Sequence, residues 1–410
     1  MPFALPRRAA LAAGTAMLFA PAIARAQAEP IRIGVILSAT GGLAAFVPPI
    51  RAGIVLAFDE INGAGGVLNG RRLQMVEADD QTNPQAGVTV ATRLVQAENV
   101  AAIIGPMASG ITIAVANAVT VPAGVPIISP SATAPAVSQI NDNDTVFRTA
   151  VPDGLQGQVL ARLTREAGIE RVAVMAVNND YGRGLAGSFT AAFQARGGTV
   201  TGSQNFEENR PSYRAELQTL SRTGNPQALM LVAYPASGGN TILRNSIEGG
   251  FFQRYILTDG MRSQQVVDQV GAAALEGAFG TGPGTAAAPE RRAAYEEAFR
   301  RANPTMDPGA SFVAQAYDAA IVIGLAIQAA GSAERAAIRA HLRTVANAPG
   351  EVVGPGEFAR ARDLIARGVK VNYEGASGPI EFNATGDAEG RIEHWAVRGG
   401  RVVSIAQLSG

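Results

Sequence analysis

At 410 residues, 47% hydrophobic and 17% charged, the chain is long enough for two or three domains of about 150 residues and has the composition of a folded globular protein. With 34 basic and 34 acidic residues it carries no net charge, which excludes a nucleic-acid-binding field. The absence of cysteine removes disulfides, thiol nucleophiles and thiolate metal sites. His341, His394 and the lone lysine Lys370 leave few groups for acid–base or Schiff-base chemistry, so an enzyme is not expected.

Taken in chain order, the first feature is an address. Arg7 and Arg8 precede an apolar stretch from Ala9 to Ala24, and Ala24-Arg25-Ala26 is a small-residue cleavage pattern. Residues 1–26 read as a signal peptide, with Ala26-Gln27-Ala28 as a second cleavage site. The other reading, a retained anchor, meets a stretch broken by Gly14 and Pro21 and shorter than the about 20 residues a spanning helix needs. Paired arginines leave twin-arginine export open beside the general route, because Pro6 and Ala10 stand where that signal has a polar residue and Phe. No later segment approaches 18 unbroken apolar residues. A soluble protein of the bacterial periplasm is the expectation.

Strand-length apolar runs then alternate with helical patterns. Strands are predicted at 31–37, 72–78, 100–104 and 126–129, with Ile50, Ile54, Phe58 and Ile61 marking a helical stripe and Asn83-Pro84 a helix start. After the segment from Phe147 to Asp153 the grammar restarts, with strands at 171–177, 199–203, 228–233 and 255–258. Residues 289–343 read as helical, broken by Asn303-Pro304 and Pro308-Gly309, and late strands are predicted at 379–382, 391–397 and 401–406. Two such series imply two doubly wound α/β lobes built on parallel sheets.

Open parallel sheets bind ligands beyond the carboxyl ends of their strands. The segments at those ends here, 38–46, 105–110, 129–135, 178–184, 234–239 and 259–263, are rich in glycine, hydroxyls and aromatics. No P-loop and no Gly-x-Ser-x-Gly elbow occurs. Gly282-Pro-Gly284 and Gly354-Pro-Gly356 read as turns rather than dinucleotide sites, and Asp79-Asp80 as a polar strand-to-helix loop rather than a cation site. No cofactor and no metal is expected, and both histidines read as structural. Ser109 suits either a helix cap or an anion site, Ser131 and Thr133 either turn chemistry or ligand contact, and Asp259 either a cap or the counter-ion of a ligand cation. Phe46, Tyr181 and Tyr234 in post-strand loops suit local packing or the walls of an apolar pocket. Taken together, a carboxylate binder, an ammonium binder and aromatic walls describe a hydrophobic amino acid.

The order of segments resembles the periplasmic solute-binding proteins of branched-chain amino acid ABC transporters, the leucine/isoleucine/valine-binding group. The resemblance spans roughly residues 31–397. Its carriers are Ile33-Gly-Val with Thr40-Gly-Gly, the run from Ala57 to Asn62 with Gly65-Gly66, Asp79-Asp80, Ile104-Gly-Pro with Ser109, and Ile128 to Pro135; then Phe147-Arg-Thr, Asp180 to Gly184, and Gly378 to Phe382. It implies a type I periplasmic binding protein fold, with lobe 1 formed by 27–150 and 282–378 and lobe 2 by 151–281 and 379–410. Three crossovers would fall near Ala150, Gly282 and Gly378. Carried over residue by residue, it assigns Ser109 and Thr133 to the ligand α-carboxylate, the Ser131 carbonyl, Thr133 hydroxyl and Asp259 to the α-ammonium, and Phe46, Tyr181 and Tyr234 to the side chain. The partner it implies is a membrane ABC permease, met by a monomer. The family's optional disulfide cannot form here, and Asp259 is one methylene shorter than the glutamate often found at its position. Other branches of the family carry aromatic or other small carboxylic acids, so the ligand class stays open. A ligand-sensing receptor module would need a fused membrane or DNA-binding segment, for which the sequence offers no candidate.

Overall fold

The computed structural model describes Met1 and residues 29–410, so all but the first residue of the predicted signal peptide lies outside the described part. Two sheets organise the chain. The first contains β1 (Ile31–Leu37), β2 (Leu73–Asp79), β3 (Ala102–Ile104), β4 (Ile127–Ser129) and β5 (Val146–Arg148), in the order β2-β1-β3-β4-β5. All its pairings are parallel, with Ile33 opposite both Met75 and Ala102. Every residue of β1 except Arg32 is buried, as a central strand covered on both faces requires.

The second sheet contains β6 (Arg171–Val177), β7 (Thr199–Phe206), β8 (Ala228–Val232), β9 (Tyr255–Leu257) and β10 (Phe279–Pro283). A small parallel pair comes next, β11 (Glu351–Val353) with β12 (Val371–Tyr373). Then β13 (Ile392–Arg398) and β14 (Arg401–Leu408) return to the second sheet, whose order is β14-β13-β10-β9-β8-β6-β7. These two join antiparallel, so this sheet is parallel only from β10 to β7. They can do so because a short Gly399-Gly400 reversal links them, where a parallel strand would need a long crossover.

The helix Val313–Ala330 is long and apolar enough to cross a membrane, with a mean hydropathy of 1.5, but 83% of it is buried inside the fold against the helix Val47–Gly63. It is a core helix, apolar all round because it is covered all round. Its one acid, Asp318, accepts hydrogen bonds from Tyr373 Oη (2.8 Å), the backbone N–H groups of Ala376 and Ser377 (2.8 Å each) and Ser377 Oγ (2.6 Å). That grip fixes the chain just before a departure from the sequence reading. Residues 379–382 form only isolated bridges, because Pro379 has no N–H to give and the Phe382 N–H donates to Asn347 Oδ1 (3.0 Å) instead of a ladder.

Two other expectations need correction. Gly282 and Pro283 end strand β10 rather than forming a turn, with Gly282 paired to Glu393 and Pro283 to Ile392. Glycine and proline hide this strand in the sequence, and Pro283 is tolerated because β10 pairs with β9 only at Phe279 and Gly280 and is flanked on one side alone at its end. Strand β5 is absent from the sequence reading because three residues are too few to show a period of two. This short strand also ties distant parts of the chain together. Arg148 N–H donates to Gly386 O (3.0 Å) and Ala388 N–H to Arg148 O (3.1 Å), joining the end of the first sheet to a segment far along the chain.

Candidate functional site

The loops after β1, β3 and β4 are fixed by their own polar groups. Thr40 Oγ donates to Asp79 Oδ2 (2.7 Å), Asp79 Oδ1 accepts from Gln81 N (2.8 Å), and Asp80 Oδ1 accepts from Thr82 N (2.9 Å). The acid pair therefore shapes the loop that carries Phe46. At Gly105 (φ +99°) a Cβ would lie 2.1 Å from Ile36 O, so only glycine permits this chain to pass so close to β1. Ser129 Oγ donates to Pro106 O (2.6 Å) and accepts from Ala132 N (3.0 Å), and Ser131 Oγ donates to Met107 O (3.0 Å).

Arg148 is 0% exposed and acts as a clamp on the loop holding Thr133. Its Nη1 donates to Ala132 O (3.0 Å) and Ala134 O (2.9 Å), its Nη2 to Ser138 Oγ (2.6 Å), and its Nε to Asp387 Oδ1 (2.6 Å). A buried guanidinium is tolerable because its donors are used. Ser109 is the first residue of the helix Ser109–Val115, and Ala108 is the cap. The Ser109 hydroxyl does not cap; it accepts from Ala134 N (3.1 Å).

Across the cleft, the second sheet presents Tyr181, Tyr234 and Asp259. The two rings stack at 5.2 Å between centroids. Asp259 Oδ1 accepts from Gln156 Nε2 (2.7 Å) and Tyr181 Oη (2.9 Å), and Gly260 N–H donates to Tyr181 Oη (3.2 Å). Burial pushes the Asp259 carboxyl up to about 6, against the pull of those hydrogen bonds. Burial also keeps both tyrosines neutral by raising them well above the usual phenol range.

The sequence reading missed Asp153. It is 0% exposed, neither of its carboxylate oxygens has a hydrogen-bond partner, and its backbone N–H donates to Thr133 O (2.9 Å). The Thr133 hydroxyl lies beside the carboxyl but falls short of full hydrogen-bond geometry. Burial and then the neighbouring Asp259 hold Asp153 well above the usual carboxylate range. The residue is hidden because an acid after Pro152 at the start of a helix reads as terminal charge complementarity. The pattern could be caught only by asking why Asp153 meets Thr133 across the cleft, which the fold alone answers.

These groups enclose a narrow cavity of ≈ 20 Å³, walled by Phe46, Met107, Ser131, Tyr181, Tyr234 and Asp259, with Leu43, Gly260 and Phe312. Five of the seven predicted site residues are thus walls; Ser109 and Thr133 are buried beside it, 2% and 1% exposed. A larger hollow of ≈ 560 Å³ lies at the opposite, amino ends of β1 and β3. Its basic groups are engaged locally, Arg32 with Glu98 (3.4 Å), Arg71 with the Glu29 carbonyl (2.9 Å) and Arg335 with the carbonyls of Val95 and Val100. His341 and His394 stand away from the cleft: His341 Nδ1 bonds Ala337 O (2.8 Å) in its own helix, and His394 packs edge-on against Phe279.

Residues 30–372 match the periplasmic binding protein family. The chain belongs to that family. Among its relatives, the Leu/Ile/Val-binding protein BraC3 of Rhizobium johnstonii is 30% identical over 85% of this chain and 93% of its own. The leucine-, isoleucine-, valine-, threonine-, and alanine-binding protein of Pseudomonas aeruginosa is 29% identical over 77% of this chain and 83% of its own. The crystal structure of a leucine-binding protein, LivK, from Thermotoga maritima superposes with a TM-score of 0.79 at 27% identity, covering 92% of this chain and 99% of that one. A solute-binding protein of R. palustris in complex with benzoate shares the fold alone, with a TM-score of 0.75 at 18% identity over 93% of this chain and 96% of that one. The fold is that of a type I periplasmic binding protein, and these relatives are binding proteins rather than enzymes.

Proposed function

We propose that this chain is an ABC transporter substrate-binding protein that captures a hydrophobic or branched-chain amino acid in the periplasm, after signal-peptide removal, and delivers it as a monomer to a membrane permease. One observation carries the amino-acid reading: Asp153 is buried with both carboxylate oxygens unpartnered, next to the buried Asp259. Two adjacent buried acids are costly unless a cation joins them, and a ligand α-ammonium supplies that cation. Its α-carboxylate would face Ser109, Thr133 and the free N–H groups at the start of the helix Ser109–Val115, and its side chain Phe46, Tyr181 and Tyr234. Closure is expected if lobe 1 (27–150, 282–378) and lobe 2 (151–281, 379–410) turn about crossovers near Ala150, Gly282 and Gly378, because only the closed form gives the ligand both sets of contacts.

The stacked tyrosines and the benzoate-binding neighbour support a second reading, a small aromatic carboxylic acid. Such a ligand has no cation for the acid pair. A thermal-shift comparison of leucine with benzoate separates the two, since a ligand at 100 times its dissociation constant adds about 2.7 kcal/mol of stability. Stabilisation by benzoate with none from leucine would overturn the amino-acid reading.

A further inference from the structure

The ligand cavity has a neighbour. A second cavity of ≈ 350 Å³ lies on the hinge side, between the loop before the core helix Val313–Ala330 and strands β10, β13 and β14. It is far larger than the ≈ 20 Å³ space between the tyrosines and Ser131. Among the described residues, Phe312 alone belongs to both linings. The two spaces also share a short turn, since Asp259 walls the first and Arg262, at the other end of that turn, walls the second.

The wall is built in an unfavourable conformation. Phe312 has φ +68° and ψ 1°, the left-handed region, which a bulky side chain rarely adopts without a reason. The turn before it is held at Gly309, whose N–H donates to Asp307 Oδ1 (2.8 Å) and whose carbonyl accepts from Arg262 Nη1 (3.4 Å), and Phe312 O itself accepts from Ala316 N–H (3.0 Å). The side chain is 7% exposed, so it is held in place on both sides.

The hinge-side cavity has a mixed lining with no net charge, in which polar side chains stand among Pro283, Ala310 and Ala314. Arg262 pairs with Glu393 (2.7 Å) and Arg292 with Glu296 (2.6 Å), and Gln315 and Gln407 add carboxamides. Such a lining suits a long side chain that ends in a neutral polar group, with apolar wall for its methylenes and hydrogen bonds for its tip, and offers little to an ion.

We propose that Phe312 is the specificity gate of the binding site: its ring shuts the ligand cavity off from the hinge-side cavity and so confines the ligand to a compact apolar side chain. Without the ring, an amino acid with a long, neutral, polar side chain would reach the second cavity. This rests on the amino-acid reading of the cleft.

Titration calorimetry of leucine and glutamine against wild type, Phe312→Gly and Phe312→Leu tests it. Glycine is chosen because it removes the ring and accepts the left-handed backbone that alanine would strain. Wild type is expected to prefer leucine over glutamine. Phe312→Gly should bind glutamine roughly tenfold more tightly than wild type does, and leucine more weakly; Phe312→Leu, which keeps an apolar wall, should still exclude glutamine. Phe312→Asn, also tolerant of this backbone, serves if the glycine variant melts below the assay temperature. A wild type that ignores leucine would overturn the reading of the cleft. A wild type that prefers leucine, with a folded Phe312→Gly that gains nothing for glutamine, would overturn the gate alone.

Discussion

The two sides of the cleft are finished to different degrees. On the first-sheet side the hydroxyls of Ser109, Ser129 and Ser131 are bonded to neighbouring backbone, and the Arg148 donors are taken by Ala132, Ala134, Ser138 and Asp387. The first-sheet side leaves Ser38 Oγ and one oxygen of Asp80 unpartnered, whereas the second-sheet side leaves a larger set buried without partners: both oxygens of Asp153, Gln156 Oε1, Thr281 Oγ and Ser237 Oγ. Buried polar groups are nearly always paired, so a cluster of exceptions marks where something outside the chain is expected to complete the set. One side is a preformed cradle; the other carries an unmet demand for positive charge.

Breaking the cradle should cost stability. Arg148→Met leaves Asp387 buried without its cation and frees the loop carrying Thr133, so the unfolding free energy should drop by about 3–5 kcal/mol in a denaturant titration. A loss under about 1 kcal/mol, the range of an exposed pair, would mean that the clamp is not a structural element. Breaking the demand should instead cost affinity. Asp259→Asn keeps the shape and removes the charge, and amino-acid binding should weaken by about 2–5 kcal/mol, while binding of a plain carboxylic acid such as benzoate should be unchanged or improved. Calorimetry with leucine and benzoate reads both, and leucine binding untouched by this change would show that the ammonium sits elsewhere.

Asp153→Asn sharpens the contrast, because it should stabilise the ligand-free protein by about 1–3 kcal/mol while weakening amino-acid binding. Its sign comes from linkage. Asp259 is raised from 3.8 to about 6 in the fold and Asp153 is also raised well above the usual carboxylate range, so the folded chain holds more protons than the unfolded one across that range. Ligand-free stability should therefore fall as pH rises from about 4 through 6, where an ordinary salt-bridged carboxylate would make it rise. An ammonium ligand favours the ionised acids, so its binding should release protons and tighten with pH, by up to about tenfold per unit for each proton released. Calorimetry in buffers of different ionisation enthalpy detects the release. Ser109→Ala is the mildest change: it deprives Ala134 N–H of an acceptor and should cost about 0.5–1.5 kcal/mol of stability, measured by thermal melting.

The same contrast governs what can be read from the amino-acid order. The alternation of strands and helices is legible because seven-residue runs such as Ile31–Leu37 and Arg171–Val177 are long enough to stand out. Three-residue strands such as Val146–Arg148 are not, since their identity comes from neighbours in the sheet rather than from their own pattern. Among candidate site residues, Ser131, Asp259 and the aromatics Phe46, Tyr181 and Tyr234 are visible because the segments just after strands are where a doubly wound sheet exposes chemistry, although Tyr181 lies in the first turn of the helix Asp180–Ala195 rather than in a loop. Asp153 sits in a context that explains it too easily, at a helix start, and only its burial with unpartnered carboxylate oxygens marks it as unusual. Phe312 is invisible for another reason: its importance lies in a backbone conformation and in two cavities that no residue-by-residue reading contains.

The pairing of Arg148 with the segment 386–388 has a mechanical consequence. The chain leaves the first sheet just after Arg148 and re-enters the second just after Asp387, and backbone bonds at Gly386 and Ala388 with the Arg148–Asp387 ion pair fasten these two passages side by side. Two strands laced together bend as one leaf, stiff against twist and shear and compliant mainly along the direction that folds the leaf. If the halves close as proposed, they would meet along a single repeatable arc, like a door on a piano hinge, and the unmet charge on one face would come to the same place on the other.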